Sequence, residues 1–437
     1  MNRTIALTAA TGLGLTLLAP SGAVATAAAG TCQGMPVTLT GTPGQSLTGT
    51  DGPDVVVTNG AMIVRTLGGD DVICVTGGPS QVYAGAGDDS VDASTSTRFG
   101  AQVRLGPGSD RFRGSTGFDV VHAGDEAVPG VAPAADTERD VIDTGPAGRI
   151  RDHVDSGQPG APNDDQVRMG DGWLSWAGIP TAATYVDGGR GSGLGIQPAA
   201  TESVTIDSAV GTLAVDAQPV LSFDGFTEYT VNASLGLADL TFRGGRRAET
   251  LNLDLGDDTP HRVRMGSGAD HLRFIRTDAL PDGGLYDGGP GRDELTLALP
   301  DERDLDLDLR KGTLSTGQRS AEVTVPARRF EDATIMARHV ELLGTPARNR
   351  LVVGACRSRV DGRDGRDVLS TFEQFDEDAE LACKPRARLL GGRGNDRLTG
   401  SRGPDVLLGG PGRDRADGGK GRDVCRAEVR KRCEVRR

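Results

Sequence analysis

Glycine and aspartate recur near the C-terminus at a spacing that could hold a hard cation. Four consecutive nine-residue units stand in register there, beginning with Gly391-Gly392-Arg393-Gly394-Asn395-Asp396-Arg397-Leu398-Thr399 and continuing through 400–408, 409–417 and 418–426. The fourth place is always glycine (Gly394, Gly403, Gly412, Gly421) and the sixth always aspartate (Asp396, Asp405, Asp414, Asp423). The eighth is apolar: Leu398, Leu407, Ala416, Cys425. Oxygen donors alone, several of them carboxylates, suit calcium, which takes roughly 6–8 oxygens in flexible geometry. Magnesium wants a tighter octahedron, and zinc prefers nitrogen or sulfur.

Each place in the unit has a structural cause. The glycines permit positive φ and close backbone approach, as a tight turn requires. The triplet after the aspartate reads as a minimal strand, its middle residue pointing inward and its neighbours outward. Two units make one coil, so residues eighteen apart stack. Asp396 is then expected over Asp414 on one edge, and Asp405 over Asp423 on the other. Carboxylates stacked about 5 Å apart repel unless something neutralises them.

With these slots, the segment from Gly391 to Arg426 resembles the RTX (haemolysin-type) calcium-binding nonapeptide repeat family, consensus G-G-x-G-x-D-x-U-x. The resemblance implies a parallel β-roll in which turn carbonyls and the aspartate carboxylate hold Ca2+. The fold class expected is all-β, a right-handed parallel β-solenoid with Gly/Asp calcium-binding turns.

Weaker copies lie upstream. Gly288-Gly289-Pro290-Gly291-Arg292-Asp293-Glu294-Leu295 is a full copy, and partial ones end at Asp54, Asp71, Asp89, Asp110, Asp119, Asp270 and Asp367. All these aspartates are candidate metal ligands, together with the four C-terminal aspartates and their glycines. Looser units recur at Asp140, Asp152 and Asp165, where the glycine pattern has worn away and the aspartate could cap backbone without metal.

Composition fits a thin, many-turned architecture. The 437 residues include 65 glycines but only 4% aromatics, which favours coils that each bury a small aliphatic side chain. Glycine has no three-residue period, which excludes collagen. The formal charge of −13 is uneven: from Lys384 onward, 16 Lys/Arg face 7 Asp/Glu, so the rest of the chain is strongly acidic.

The N-terminus reads as a secretory signal over 1–29, with Arg3, the apolar stretch Ile5 to Leu18, and a small-residue cleavage site at Ala23-Val24-Ala25 or Ala27-Ala28-Ala29. The protein is expected to be secreted, with no membrane span. Six cysteines fall in three local groups, Cys32 and Cys74, Cys356 and Cys383, Cys425 and Cys433, and local pairing as structural disulfides is the simplest arrangement.

After the signal, the chain divides into a Gly/Asp-repeat solenoid over 30–125 and irregular turns over 126–200 that begin with a loop insertion at 126–138. A longer-strand solenoid over 201–383, the calcium-binding roll over 384–426 and a basic cap over 427–437 follow. Trp173 and Trp176 suit a local hydrophobic plug. Phe226-Thr-Glu-Tyr-Thr-Val231 and Phe330-Glu-Asp-Ala-Thr-Ile335 suggest an internal duplication. Only Arg426 to Arg432 could form a short helix, and Cys425 could reach Cys433 only if that segment turns.

No catalytic or organic-cofactor-binding residue emerges. HExxH, GxSxG, P-loop and dinucleotide fingerprints are all absent. Gly188-Gly-Arg-Gly-Ser-Gly193 lacks the lysine and helix of a phosphate loop and aligns better as a repeat whose aspartate became Gly193. The expected role is binding, surface or structural, with calcium as the folding switch and a cell-envelope or extracellular polysaccharide as a partner that fits. The basic tail lacks the aromatics of specific nucleic-acid recognition. The alternative is a calcium-dependent polysaccharide lyase, hydrolase or epimerase on a β-helix, which would leave no linear motif.

Overall fold

In a computed structural model, described over residues 30–96, 100–124, 136–200, 202–233, 236–255, 259–276, 280–299, 304–317, 323–372 and 383–436, the triplet after each repeat aspartate is a strand. Arg397–Thr399, Val406–Leu408 and Arg415–Asp417 each bury only their middle residue. Every such strand pairs in parallel with the strand two units away: Arg397 with Arg415, Val406 with Val424. Two units therefore close one coil, and the ladder runs from Leu39–Thr40 to Val435–Arg436 within a single 39-stranded, mostly parallel sheet. The described residues form no helix, and none could cross a membrane as one. This is an all-β roll.

The middle of the chain builds a conventional core on the same plan. Thr250–Leu255 and Asp332–Met336 are longer strands that bury several side chains each. Rings replace aliphatics there, with Phe274 edge-on to Tyr286 at 5.2 Å and Tyr229 to Phe242 at 5.4 Å. Two antiparallel excursions interrupt the coils. Ser203–Asp207 and Thr212–Val215 fold back on Gln218–Ala233; Asp304–Asp308 and Thr313–Gly317 fold back on Val323–Arg328. Phe226, within Gln218–Ala233, and Phe330, just after Val323–Arg328, are both buried.

The cysteines pair locally, as Cys32–Cys74, Cys356–Cys383 and Cys425–Cys433. Trp176 is buried in the core, whereas Trp173 lies across Gly193 and Gly195 of the next coil, where any Cβ would meet its ring. The glycine run 188–193 sits inside the bent strand Thr184–Gln197, so it is not a phosphate loop. The signal segment and most of the 126–138 insertion lie outside the described residues.

One expectation is overturned at the C-terminus. The segment expected to be helical carries the strands Val424–Arg426 and Val429–Lys431, and the latter pairs with Arg415–Asp417. Shortened turns bring Glu428 and Glu434 onto the two edges in place of aspartate, so the strand ladder continues through this segment.

Candidate metal centre

The sixth-position aspartates are buried, and they connect coil to coil. In each, one carboxylate oxygen accepts the main-chain N–H of the equivalent residue in the preceding coil. Asp396 N–H donates to Asp414 Oδ1 at 2.8 Å, and Asp405 N–H to Asp423 Oδ1 at 2.9 Å, both across eighteen residues. One edge upstream runs Asp54, Asp71, Asp89, Asp110, Asp140, Asp165, each N–H bonded to the next Oδ1 at 2.7–2.9 Å. The other links Ala101, Asp119 and Asp152. Further on, Glu249, Asp270 and Asp293 are joined in the same way, as are Asn349, Asp367 and Asp396. Glu428 and Glu434 end the two rows by accepting from Asp414 and Asp423.

The worn units at Asp140, Asp152 and Asp165 thus occupy full rungs. Glu249, Asn349, Glu428 and Glu434 occupy rungs without being aspartate, so the aspartate spacing does not reveal them. The only signal available for them was the glycine pattern on their N-terminal side, and at Glu428 and Glu434 even that is missing.

The second carboxylate oxygen carries the chemistry. Oδ2 of Asp71, Asp89, Asp110, Asp140, Asp152, Asp270, Asp293, Asp367, Asp396, Asp414 and Asp423 is buried with no hydrogen-bond partner. The Thr66 and Thr144 hydroxyls lie near Asp71 and Asp152 without completing a bond to Oδ2. A buried, unpaired carboxylate oxygen costs several kcal/mol unless a cation or proton meets it.

Burial accordingly raises these groups, with neighbouring rungs adding to it. Asp89 is pushed up to about 7, Asp110 to about 8, and Asp293 and Asp367 to about 7. Asp396, Asp414 and Asp423 are raised by the same burial.

Carbonyl oxygens converge on the same gaps. A Cβ on Gly391 would sit 2.5 Å from both Asp396 Oδ2 and the Gly409 carbonyl; on Gly362 it would sit 2.5 Å from Asp367 Oδ2 and 2.7 Å from the Gly391 carbonyl. The fourth-position glycines Gly394 and Gly412 ride directly over the Gly365 and Gly394 carbonyls, where no Cβ fits. Among the described residues no three His, Cys, Asp or Glu side chains converge on one point. Any cation held here must draw on main-chain carbonyls as well as carboxylates, and hard oxygen donors of that kind fit calcium.

Fold and site together define a parallel β-roll with oxygen-lined turns suited to a divalent cation. The chain carries four copies of the RTX calcium-binding nonapeptide repeat, matched over residues 66–95, 105–127 and 390–425. These segments contain Asp71, Asp89, Asp110, Asp119 and the four C-terminal aspartates; Asp54, Asp270, Asp293 and Asp367 lie outside them. No curated protein matches the chain.

A pH dependence follows from the raised carboxyls. An unfolded aspartate titrates near 3.9, so between about pH 4 and 8 the metal-free roll binds more protons than the unfolded chain. Its stability therefore falls as pH rises. Calcium needs the deprotonated ligand, so its stabilisation grows over the same range. Thermal melts at pH 5, 6.5 and 8 should show a falling Tm for metal-free protein and a widening gap to the calcium-loaded one. A metal-free Tm that rises with pH would contradict this origin of the shifts.

Proposed function

We propose that this is an exported calcium-binding β-solenoid in which Ca2+ joins successive coils outside the cell, and that its role is binding or structural at a surface or in the extracellular medium. The observation that carries the reading is the row of buried Oδ2 atoms without donors, set among turn carbonyls. Asp396, Asp414 and Asp423, with Gly394, Gly412 and Gly421 shaping the turns, are its C-terminal centre. Asp71, Asp89, Asp110, Asp270, Asp293 and Asp367 extend it upstream. In a compartment poor in calcium, unpaired carboxylates hold the coils loose. Where calcium is abundant, its binding free energy becomes folding free energy. The three disulfides suit the same oxidising destination.

Circular dichroism with calcium and with chelator tests the folding role. The expected result is a loss of β signal on chelation that calcium restores. An unchanged spectrum, or no calcium retained after dialysis, would overturn it.

The polysaccharide-active alternative keeps one specific support. A groove of about 780 Å³ is lined by residues including Tyr185, Asp224, Arg246, Arg247 and Glu249. Both Glu249 oxygens are already engaged, by Ser208 Oγ at 2.6 Å and Gly245 N–H at 2.8 Å, which leaves the groove's buried acid poorly placed for proton transfer. Release of reducing or unsaturated sugars from acidic polysaccharides would favour the enzyme.

A further inference from the structure

We propose that, apart from the worn turns at Asp140, Asp152 and Asp165, the aspartate turns are of two kinds, and that a hydroxyl residue at the second place of the nonapeptide closes a turn to calcium permanently. The inference rests on the reading of the unpartnered turns as calcium sites.

In the first kind, the second place has positive φ and carries no side-chain donor for the carboxylate. Gly85, Gly106, Gly266, Gly289, Gly392, Gly410 and Gly419 are of this kind, and so are Leu67 (φ 76) and Arg363 (φ 68), which take the same conformation without being glycine. The aspartate four residues later in each has an unpartnered Oδ2: Asp71, Asp89, Asp110, Asp270, Asp293, Asp367, Asp396, Asp414, Asp423.

In the second kind, the second place is serine or threonine outside the positive-φ region, and it donates to the carboxylate itself. Asp405 Oδ2 accepts Ser401 N–H at 2.5 Å and Ser401 Oγ at 2.9 Å. Asp54 Oδ2 accepts Thr50 N–H at 2.8 Å and Thr50 Oγ1 at 3.1 Å, and Asp119 Oδ2 accepts Ser115 N–H at 3.1 Å. The turn ending at Asn349 goes further. Thr345 N–H donates to its Oδ1 at 2.7 Å, and its amide nitrogen donates to the Glu331 carbonyl, so a side-chain donor supplies positive charge density to the gap. The fourth place follows in most turns. Gly365, Gly394, Gly412 and Gly421 have φ of 133–154°, whereas Gly52, Gly117 and Gly403 are not left-handed and alanine stands there at Ala347. Gly268 and Gly291 of the first kind are not left-handed either, so the second place is what separates the two.

A carboxylate oxygen already holding hydrogen-bond donors, two at Asp54 and Asp405 and one at Asp119, has spent its charge-assisted capacity for a cation. The C-terminal edge that carries Asp405 therefore has one open rung, Asp423. The opposite edge has three in succession: Asp367, Asp396, Asp414.

The test counts calcium bound per full-length chain, by elemental analysis after dialysis and by terbium luminescence, with folding checked by circular dichroism. Asp405→Asn, which preserves an acceptor for Ala387 N–H, should leave the count unchanged, whereas Asp414→Asn should lower it by at least one. Ser401→Gly restores the glycine of the open turns and should raise it. Equal loss from Asp405→Asn and Asp414→Asn, or no gain from Ser401→Gly, would overturn the two-class assignment. If wild type binds no calcium at all, the proposed function fails first.

Discussion

Chelating calcium should open the two ends of the roll and leave its middle folded. In the coil formed by residues 391–408, Leu398 and Leu407 are the inward apolar side chains, worth together about 3–6 kcal/mol of burial. Such a coil has little apolar burial to hold it and leans on its main-chain ladder and on what fills its turns, so it is where loss of the cation is felt first. In the middle, Leu251, Leu253, Phe274, Tyr286 and their neighbours supply a core that needs no metal. One calcium held at a hundred times its Kd adds about 2.7 kcal/mol, equivalent to a roughly hundredfold change in opening.

Amide hydrogen exchange, read by mass spectrometry with calcium and with chelator, should show this as a boundary. The N–H groups of Gly392, Gly394 and Asp396, which donate to Gly409 O, Pro411 O and Asp414 Oδ1, should exchange about a hundredfold faster without calcium. Amides in Thr250–Leu255 and Asp332–Met336 should change little. Unchanged protection of the Gly392, Gly394 and Asp396 amides on chelation would show that calcium does not act through the C-terminal repeat turns.

A methyl group at the fourth place should be the most damaging small substitution in the roll. Gly394 has φ 144°, and its Cβ would overlap the Gly365 carbonyl oxygen. A non-glycine residue held in sparsely populated backbone costs about 1–3 kcal/mol, and relieving the overlap costs a similar amount. Gly394→Ala should therefore destabilise the C-terminal coils by about 3 kcal/mol or more in urea unfolding with calcium present, and weaken calcium binding with it. Gly52→Ala is the matched comparison, since Gly52 has no positive φ and nothing within 4 Å of an added Cβ. It should stay within about 0.5 kcal/mol of wild type. Similar losses in both variants would mean that coil-to-coil approach is not what selects the glycine.

Much of the architecture was legible along the chain because each slot of the nonapeptide serves a local need. Gly394 and Gly412 answer to backbone sterics, Leu398 and Leu407 to a single inward direction, and the eighteen-residue coil follows from adding two turns to two strands. Those requirements act over a few residues, so residue type reveals them. The C-terminal end failed the same reading because Glu428 and Glu434 reach their rungs from turns without the glycine pattern. A longer side chain makes up for a shorter turn, and only the folded register shows it.

The sequence by itself determined a repeating roll with carboxylates aligned along its edges. Only the tertiary structure decided what each carboxylate meets. Asp405 and Asp414 occupy the same place in the repeat, yet Ser401 fills the second oxygen of one and nothing fills that of the other. Which oxygens stay unpaired depends on the donors that the turn and the neighbouring coils bring to each carboxylate, and these are not written in the spacing of the aspartates.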